Sequence, residues 1–97
     1  MVFKEQSLKG VYLVNPNVLY DDRGSFFESF RENEFRSKLN CKFVQDNEVF
    51  SKNVNTIRGL HYQIENPQAK LIHVISGAIK DVIVDLRANS KTFGESF

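Results

Sequence analysis

The chain has 97 residues, 41% of them hydrophobic and 26% charged, and thirteen Lys and Arg against twelve Asp and Glu leave a formal charge of +1. That length allows one domain and no second core, and the near-neutral balance offers no electrostatic footprint for nucleic acid or an anionic membrane surface. The longest apolar run, residues 71–78, is interrupted by His73, Ser76 and Gly77 and falls far short of the roughly 20 residues that a spanning helix needs. From Met1 the chain passes straight to Lys4 and Glu5 without the apolar stretch of a secretory signal, so a cytoplasmic location is expected. Cys41 is the single cysteine; it can form no internal disulfide and receives no role.

The first predicted strand covers residues 10–14, where Val-Tyr-Leu-Val is stopped by Asn15-Pro16-Asn17. A short strand at residues 18–20 follows, and Asp21-Asp22-Arg23-Gly24 reads as a reversal whose glycine supplies a positive φ. Residues 25–30 alternate, with Phe26, Glu28 and Phe30 on one face and Phe27 and Ser29 on the other. Ser29 and Glu32 have the spacing of a capping box, and Phe35/Leu39, Glu32/Arg36 and Glu34/Lys38 stand four apart. One helix over residues 31–39 is therefore predicted, ended by Asn40.

Strand character returns at residues 42–47, 48–51 and 56–63. Residues 70–75 and 78–86 read as a hairpin turning at Ser76-Gly77. In its second arm Asp81, Ile83, Asp85 and Arg87 share one face, which reads as a solvated charged surface. His73, between Leu71 and Ile75, is expected in the core or at an edge. Residues 89–94 turn again, and Glu95-Ser96-Phe97 begins another strand. Short strands between Gly and Asn turns give an all-β sandwich or small barrel with one helix near the front. So short and strand-rich a chain must cover its edges, and self-association is expected.

The densest polar cluster is Arg58-Gly59-Leu60-His61-Tyr62-Gln63, followed by Lys70. Abstraction of a proton beside a carbonyl needs a base and a cation for the enolate oxygen, and His61 and Lys70 are residue types for those two tasks. Strand parity puts Arg58 and His61 on opposite faces, and a bulge at Gly59 would bring both to one pocket. Gln45, Asp46 and Asn47 offer polar edges for a base or sugar, although such side chains mostly bond nearby backbone. No ligand set for a metal is found, and none is assigned.

Taken together, Asp22-Arg23-Gly24-Ser25-Phe26-Phe27-Glu28-Ser29-Phe30, Phe43-Val44-Gln45-Asp46-Asn47, Ile57-Arg58-Gly59-Leu60-His61-Tyr62-Gln63, Ala69-Lys70-Leu71, Val84-Asp85-Leu86-Arg87 and Ser90-Lys91-Thr92-Phe93-Gly94 resemble the dTDP-4-dehydrorhamnose 3,5-epimerase family. The resemblance implies a cupin-type β jelly roll without a metal or other cofactor, working as a homodimer with strand exchange on a nucleotide-sugar. It makes His61 the proton acceptor and Lys70 the cation over the enolate oxygen. Arg23, Phe26, Glu28, Gln45, Asp46, Asn47 and Arg58 become substrate contacts, with the segment from Arg23 to Glu28 reaching into the partner's site. Members of the family are longer, and their proton-donating Tyr and the Asp that orients the catalytic His lie in a distal half. Residues 1–97 are therefore expected to form a single, incomplete epimerase domain. The alternative is a non-catalytic sugar-nucleotide-binding or dimerisation module on the same scaffold.

Overall fold

A computed structural model describes residues 1–97. Its regular elements are β1 (Val2–Glu5), β2 (Tyr12–Asn15), β3 (Val18–Asp21), β4 (Gly24–Phe27) and α1 (Glu32–Leu39). β1 pairs antiparallel with β2 and β3 with β4, giving two separate two-stranded sheets. Strands with one short helix fit the N-terminal portion of a cupin-like all-β fold. Strand β1, absent from the prediction, forms because the loop after it closes tightly: Gln6 N–H donates to the Val11 carbonyl at 2.8 Å and Gly10 N–H to Glu5 Oε1 at 2.9 Å. That loop folds Leu8 inward until 1% of it is exposed.

The β3–β4 hairpin turns at Asp22-Arg23 with Asp21 opposite Gly24. Gly24 has φ +134°, a backbone region that side chains resist. The strand expected to run to Phe30 stops at Phe27, and Phe30 instead packs on Phe35 of α1 with ring centroids 4.9 Å apart. α1 begins one residue later than predicted. Its N-cap is Arg31, extended and without a side-chain cap bond, so the Ser29–Glu32 capping box does not form. Neither Glu32–Arg36 nor Glu34–Lys38 closes as an ion pair. The acids of the first turn and the bases of the last nevertheless complement the helix dipole. Asn40 ends the helix as expected, left-handed at φ 50° with its N–H on the Arg36 carbonyl at 3.0 Å.

The buried apolar side chains are Leu8 and Phe35, and Phe35 stands at the centre of a group of four phenylalanines. Phe35, 1% exposed, meets Phe3 edge-on at 5.1 Å and Phe43 edge-on at 6.0 Å, besides Phe30. It thus ties β1, the helix and the chain after the helix into one unit, through edge-to-face contacts of the kind aromatic quadrupoles favour.

Beyond the helix the predicted strands at 42–47, 48–51, 56–63, 70–75 and 78–86 are not formed, and the 70–86 hairpin does not close. The molecule has 23 backbone–backbone hydrogen bonds, and residues 41–82 contribute none of them. A closed fold of this length would make roughly 65. The radius of gyration is 15.6 Å, against about 12.5 Å for a compact domain of this length.

Pairing resumes only near the end. Ile83 exchanges both backbone bonds with Phe97 at 3.0 and 2.9 Å, Val84 faces Ser96, and Asp85 N–H donates to the Glu95 carbonyl at 3.0 Å. The strand start expected at residues 95–97 is therefore used. Asp85 itself is 5% exposed, which corrects its reading as part of a solvated charged face. Arg87 holds both its oxygens, Nε at 2.8 Å and Nη2 at 2.9 Å, while the hydroxyls of Ser90 and Thr92 donate to Oδ2 at 2.5 and 2.7 Å. The Arg87 guanidinium first, then the two hydroxyls, hold the carboxyl far below the usual carboxylate range. His73, expected in the core or at an edge, is exposed and meets Phe27 edge-on at 6.1 Å.

Two outcomes follow. Phe35→Ala removes a buried ring at a cost of about 3 kcal/mol or more, a large share of what so small a core supplies; urea unfolding followed through the helix signal should lose its cooperative transition. The Asp85 turn contributes stability that is full above the unfolded carboxyl value and declines only as pH falls towards the depressed folded value. The Asp85 carboxyl carbon resonance should therefore stay that of a carboxylate from about pH 5 to about pH 3, and Asp85→Asn should open the turn and release the Ile83–Phe97 pairing at neutral pH.

Candidate active site

The residues singled out for chemistry fall into two groups that differ in how firmly they are held. Arg23 and Phe26 lie on the rigid β3–β4 hairpin. Arg23 bonds to Asp21, which accepts its backbone N–H at 2.9 Å and Nη2 at 2.6 Å. The side-chain bond from Arg23, then the backbone one, lowers the Asp21 pKa. Phe26 stands opposite Leu19, and these two with Tyr20 and Arg23 line an open hollow of about 480 Å³. Leu19, Tyr20 and Phe26 are 66%, 77% and 71% exposed, so the hairpin presents rings and a guanidinium to solvent. Glu28, just past the strand, pairs with Arg31 at 2.6 and 2.8 Å, and that bond lowers its pKa.

The second group lies in residues 41–82, where no backbone ladder fixes anything. Gln45 Nε2 donates to Asn47 Oδ1 at 3.1 Å, so these two are brought together, while Asp46 between them is exposed and unbonded. Arg58 reaches back to the Ser51 hydroxyl at 3.3 Å and the Phe50 carbonyl at 3.5 Å. His61 and Lys70 are exposed, and neither side chain makes a hydrogen bond or an ion pair.

Gly59 sets the approach to His61. Its φ is +90°, and a Cβ there would stand 3.2 Å from the His61 amide nitrogen and 3.3 Å from Nδ1. Only a residue without a side chain lets the imidazole fold back so closely. The bulge expected at this glycine is not one, because no neighbouring strand is paired here for it to interrupt. Away from all these residues, a polar hollow of about 610 Å³ is lined by Lys9, Arg87, Lys91 and the hydroxyls of the Asp85 turn. Sequence reasoning placed a turn at residues 89–94 and missed that the buried Asp85 carboxylate closes it. Its signal was the recurrence of Ser90 and Thr92 five and seven positions after the acid, a spacing suited to hydroxyls closing on a carboxylate.

A family model described as dTDP-4-dehydrorhamnose 3,5-epimerase matches residues 5–97. A relative from Methanothermobacter thermautotrophicus, named dTDP-4-dehydrorhamnose 3,5-epimerase, is 50% identical over 94 residues, 96% of this chain and 50% of the relative. Relatives of the same name from Sinorhizobium fredii and Salmonella typhimurium are 43% and 42% identical, covering 98% of this chain in each case and 50% and 53% of themselves. The chain therefore spans about half the length of the curated relatives it matches. No solved structure matches it. With the match running through the Arg-Gly-Leu-His segment, the downstream Lys70 and the hairpin of Arg23 and Phe26, this chain belongs to the dTDP-4-dehydrorhamnose 3,5-epimerase family.

Proposed function

We propose that residues 1–97 are the N-terminal portion of an epimerase domain that acts on dTDP-4-dehydro-6-deoxy-D-glucose at C3 and C5, in the cytoplasm and as a homodimer. The observation that carries this reading is the family match over residues 5–97, which includes every residue assigned below.

The chemistry follows from the C4 ketone. It acidifies the protons on both neighbouring carbons, so one base can take a proton from either and leave the electron pair on the ketone oxygen as an enolate. The His61 imidazole is that base. The Lys70 ammonium stands over the enolate oxygen, where charge develops only as the proton leaves and where a cation lowers the barrier rather than merely binding substrate. Return of a proton to the opposite face of the carbon inverts it. Arg58 holds the sugar-nucleotide near the base, and Gln45, Asp46 and Asn47 supply polar edges to it. Arg23, Phe26 and Glu28 bind from a hairpin that enters the partner's site in the homodimer. The exposed ring of Phe26 is a stacking surface for the base, and Arg23 suits a diphosphate through its forked donors.

The second reading, a non-catalytic module that binds the sugar-nucleotide, draws on one observation: His61 and Lys70 stand in water without partners in this chain. Proton exchange separates the two, since abstraction needs only base and clamp. Incubated with dTDP-4-dehydro-6-deoxy-D-glucose in D₂O, the protein is expected to place deuterium at C3 or C5, read by proton NMR of the sugar. His61→Ala should slow that uptake by about 10²-fold or more, and Lys70→Ala should slow it with less effect on binding. Binding without any deuterium uptake would establish the module and overturn the enzyme.

A further inference from the structure

Two lysines from different loops stand beside one arginine that a buried acid holds in place. The hollow of about 610 Å³ outside the candidate active site is lined by Lys9 of the β1–β2 loop and by Arg87 and Lys91 of the Asp85 turn, together with Asn89, Ser90 and Thr92. No hydrophobic residue and no carboxylate is part of its lining. Lys9 and Lys91 enter none of the molecule's ion pairs, so neither ammonium is matched by an acid.

The third cation differs. Arg87 meets the Asp85 carboxylate, whose side chain is 1% exposed, through Nε at 2.8 Å and Nη2 at 2.9 Å. A guanidinium has five N–H groups, and those two bonds leave three of them free. They belong to a half-exposed side chain that a buried partner already holds, so ordering it costs a ligand little. Asp85 does not oppose an anion here as a bare carboxylate would. Its charge is matched by Arg87, and Ser90 and Thr92 close Oδ2 further. On the other loop, Glu5 Oε1 is engaged by the Gly10 N–H. The hollow is left with the positive charges of Lys9 and Lys91.

We propose that this hollow is a second binding site, separate from the residues of the proposed reaction, and that its ligand is a phosphate-class dianion. Charge is the first argument: two unmatched ammoniums balance a dianion and leave a monoanion such as chloride short. Shape is the second, because the forked donors of a guanidinium pair with two oxygens of one tetrahedral oxyanion. The lining is the third. It offers no apolar face on which a nucleobase could stack, so the ligand is free phosphate or the phosphoryl end of a small hydroxylated ester. The Thr92 hydroxyl, whose hydrogen goes to Asp85, keeps lone pairs that accept from such an ester. Arg23, Arg58, His61 and Lys70 take no part in the lining, so this site stands or falls apart from the proposed activity.

The test is a titration of the isotope-labelled protein with sodium phosphate, at mildly alkaline pH and constant ionic strength, followed by amide NMR. Saturable shifts are expected at residues 7–9 and 87–92, where chloride at equal ionic strength gives none. Lys9→Gln with Lys91→Gln should weaken binding by about tenfold or more, with amide positions in β1 to α1 unchanged as the check on folding. Lys52→Gln with Lys80→Gln removes the same charge from exposed lysines outside the hollow and should leave binding as it was. Glycerol phosphate in place of phosphate separates the two sources: tighter binding than the free ion assigns the site to an ester, weaker binding to phosphate itself, and either upholds the shared chemistry. Shifts that never saturate, that chloride reproduces, or that survive Lys9→Gln with Lys91→Gln overturn the inference. So do saturable shifts confined to the surroundings of Arg23 and Arg58, which would put phosphate on the substrate-binding residues instead.

Discussion

A helix satisfies its own backbone, and a strand cannot. That difference decides which parts of this molecule have regular structure. α1 needs no neighbour for its hydrogen bonds, and β1–β2 and β3–β4 find theirs across short connections. Residues 41–82 carry the strand-forming side chains but form no ladder, because in a jelly roll many neighbours of a strand come from distant parts of the chain. Burial follows the same rule. Apolar side chains are covered where an adjacent element already stands, as Phe35 is by Phe3, Phe30 and Phe43, and are otherwise left in water.

The chemistry inherits this division. In the hairpin Phe26 has a fixed register opposite Leu19, and Arg23 lies in the turn between the paired Asp21 and Gly24, so both stand on a preformed backbone. His61 and Lys70 are held only by local backbone, of which the close approach of Gly59 to the imidazole is the one tight constraint. Enolate chemistry depends on base and cation holding a common geometry, since a displacement of about 1 Å costs orders of magnitude in rate. In the proposed reaction, bound substrate has to draw His61 and Lys70 into that common geometry.

Sequence reading succeeded where the information is local. The β3–β4 reversal was legible from Asp-Asp-Arg-Gly and the end of α1 from Asn40, each a contact made within a few residues, and the late strand start was legible from Glu95-Ser96-Phe97, although its partner Val84 lies farther back. The family was legible from Arg-Gly-Leu-His with its neighbours, through motif combination rather than periodicity. The readings that failed share one cause. Alternation at residues 70–86 encodes which side chains share a face and says nothing of which strand lies alongside. β1 was missed because two of its four residues, Lys4 and Glu5, are charged, and because its pairing is closed by the following loop, whose Gly10 N–H donates to Glu5 Oε1.

One local pattern occurs twice and shows why a charged pair cannot be assigned a role from its own residues. Asp21-x-Arg23 and Asp85-x-Arg87 fold alike: the arginine backbone N–H donates to Oδ1 at 2.9 and 3.0 Å, and its Nη2 to Oδ2 at 2.6 and 2.9 Å. Their surroundings differ. The Asp21 side chain is 53% exposed and has only its arginine, whereas the Asp85 side chain is 1% exposed and also accepts from Ser90 and Thr92. Breaking the second pair would strand a carboxylate away from water, which makes it a structural lock. An exposed pair is held weakly and water can replace either member, so Arg23 can leave Asp21 for an anionic ligand at small cost. The same two residues at the same spacing are therefore a clamp in one turn and a reserve cation in the other, and the hydroxyls beside the carboxylate decide between them.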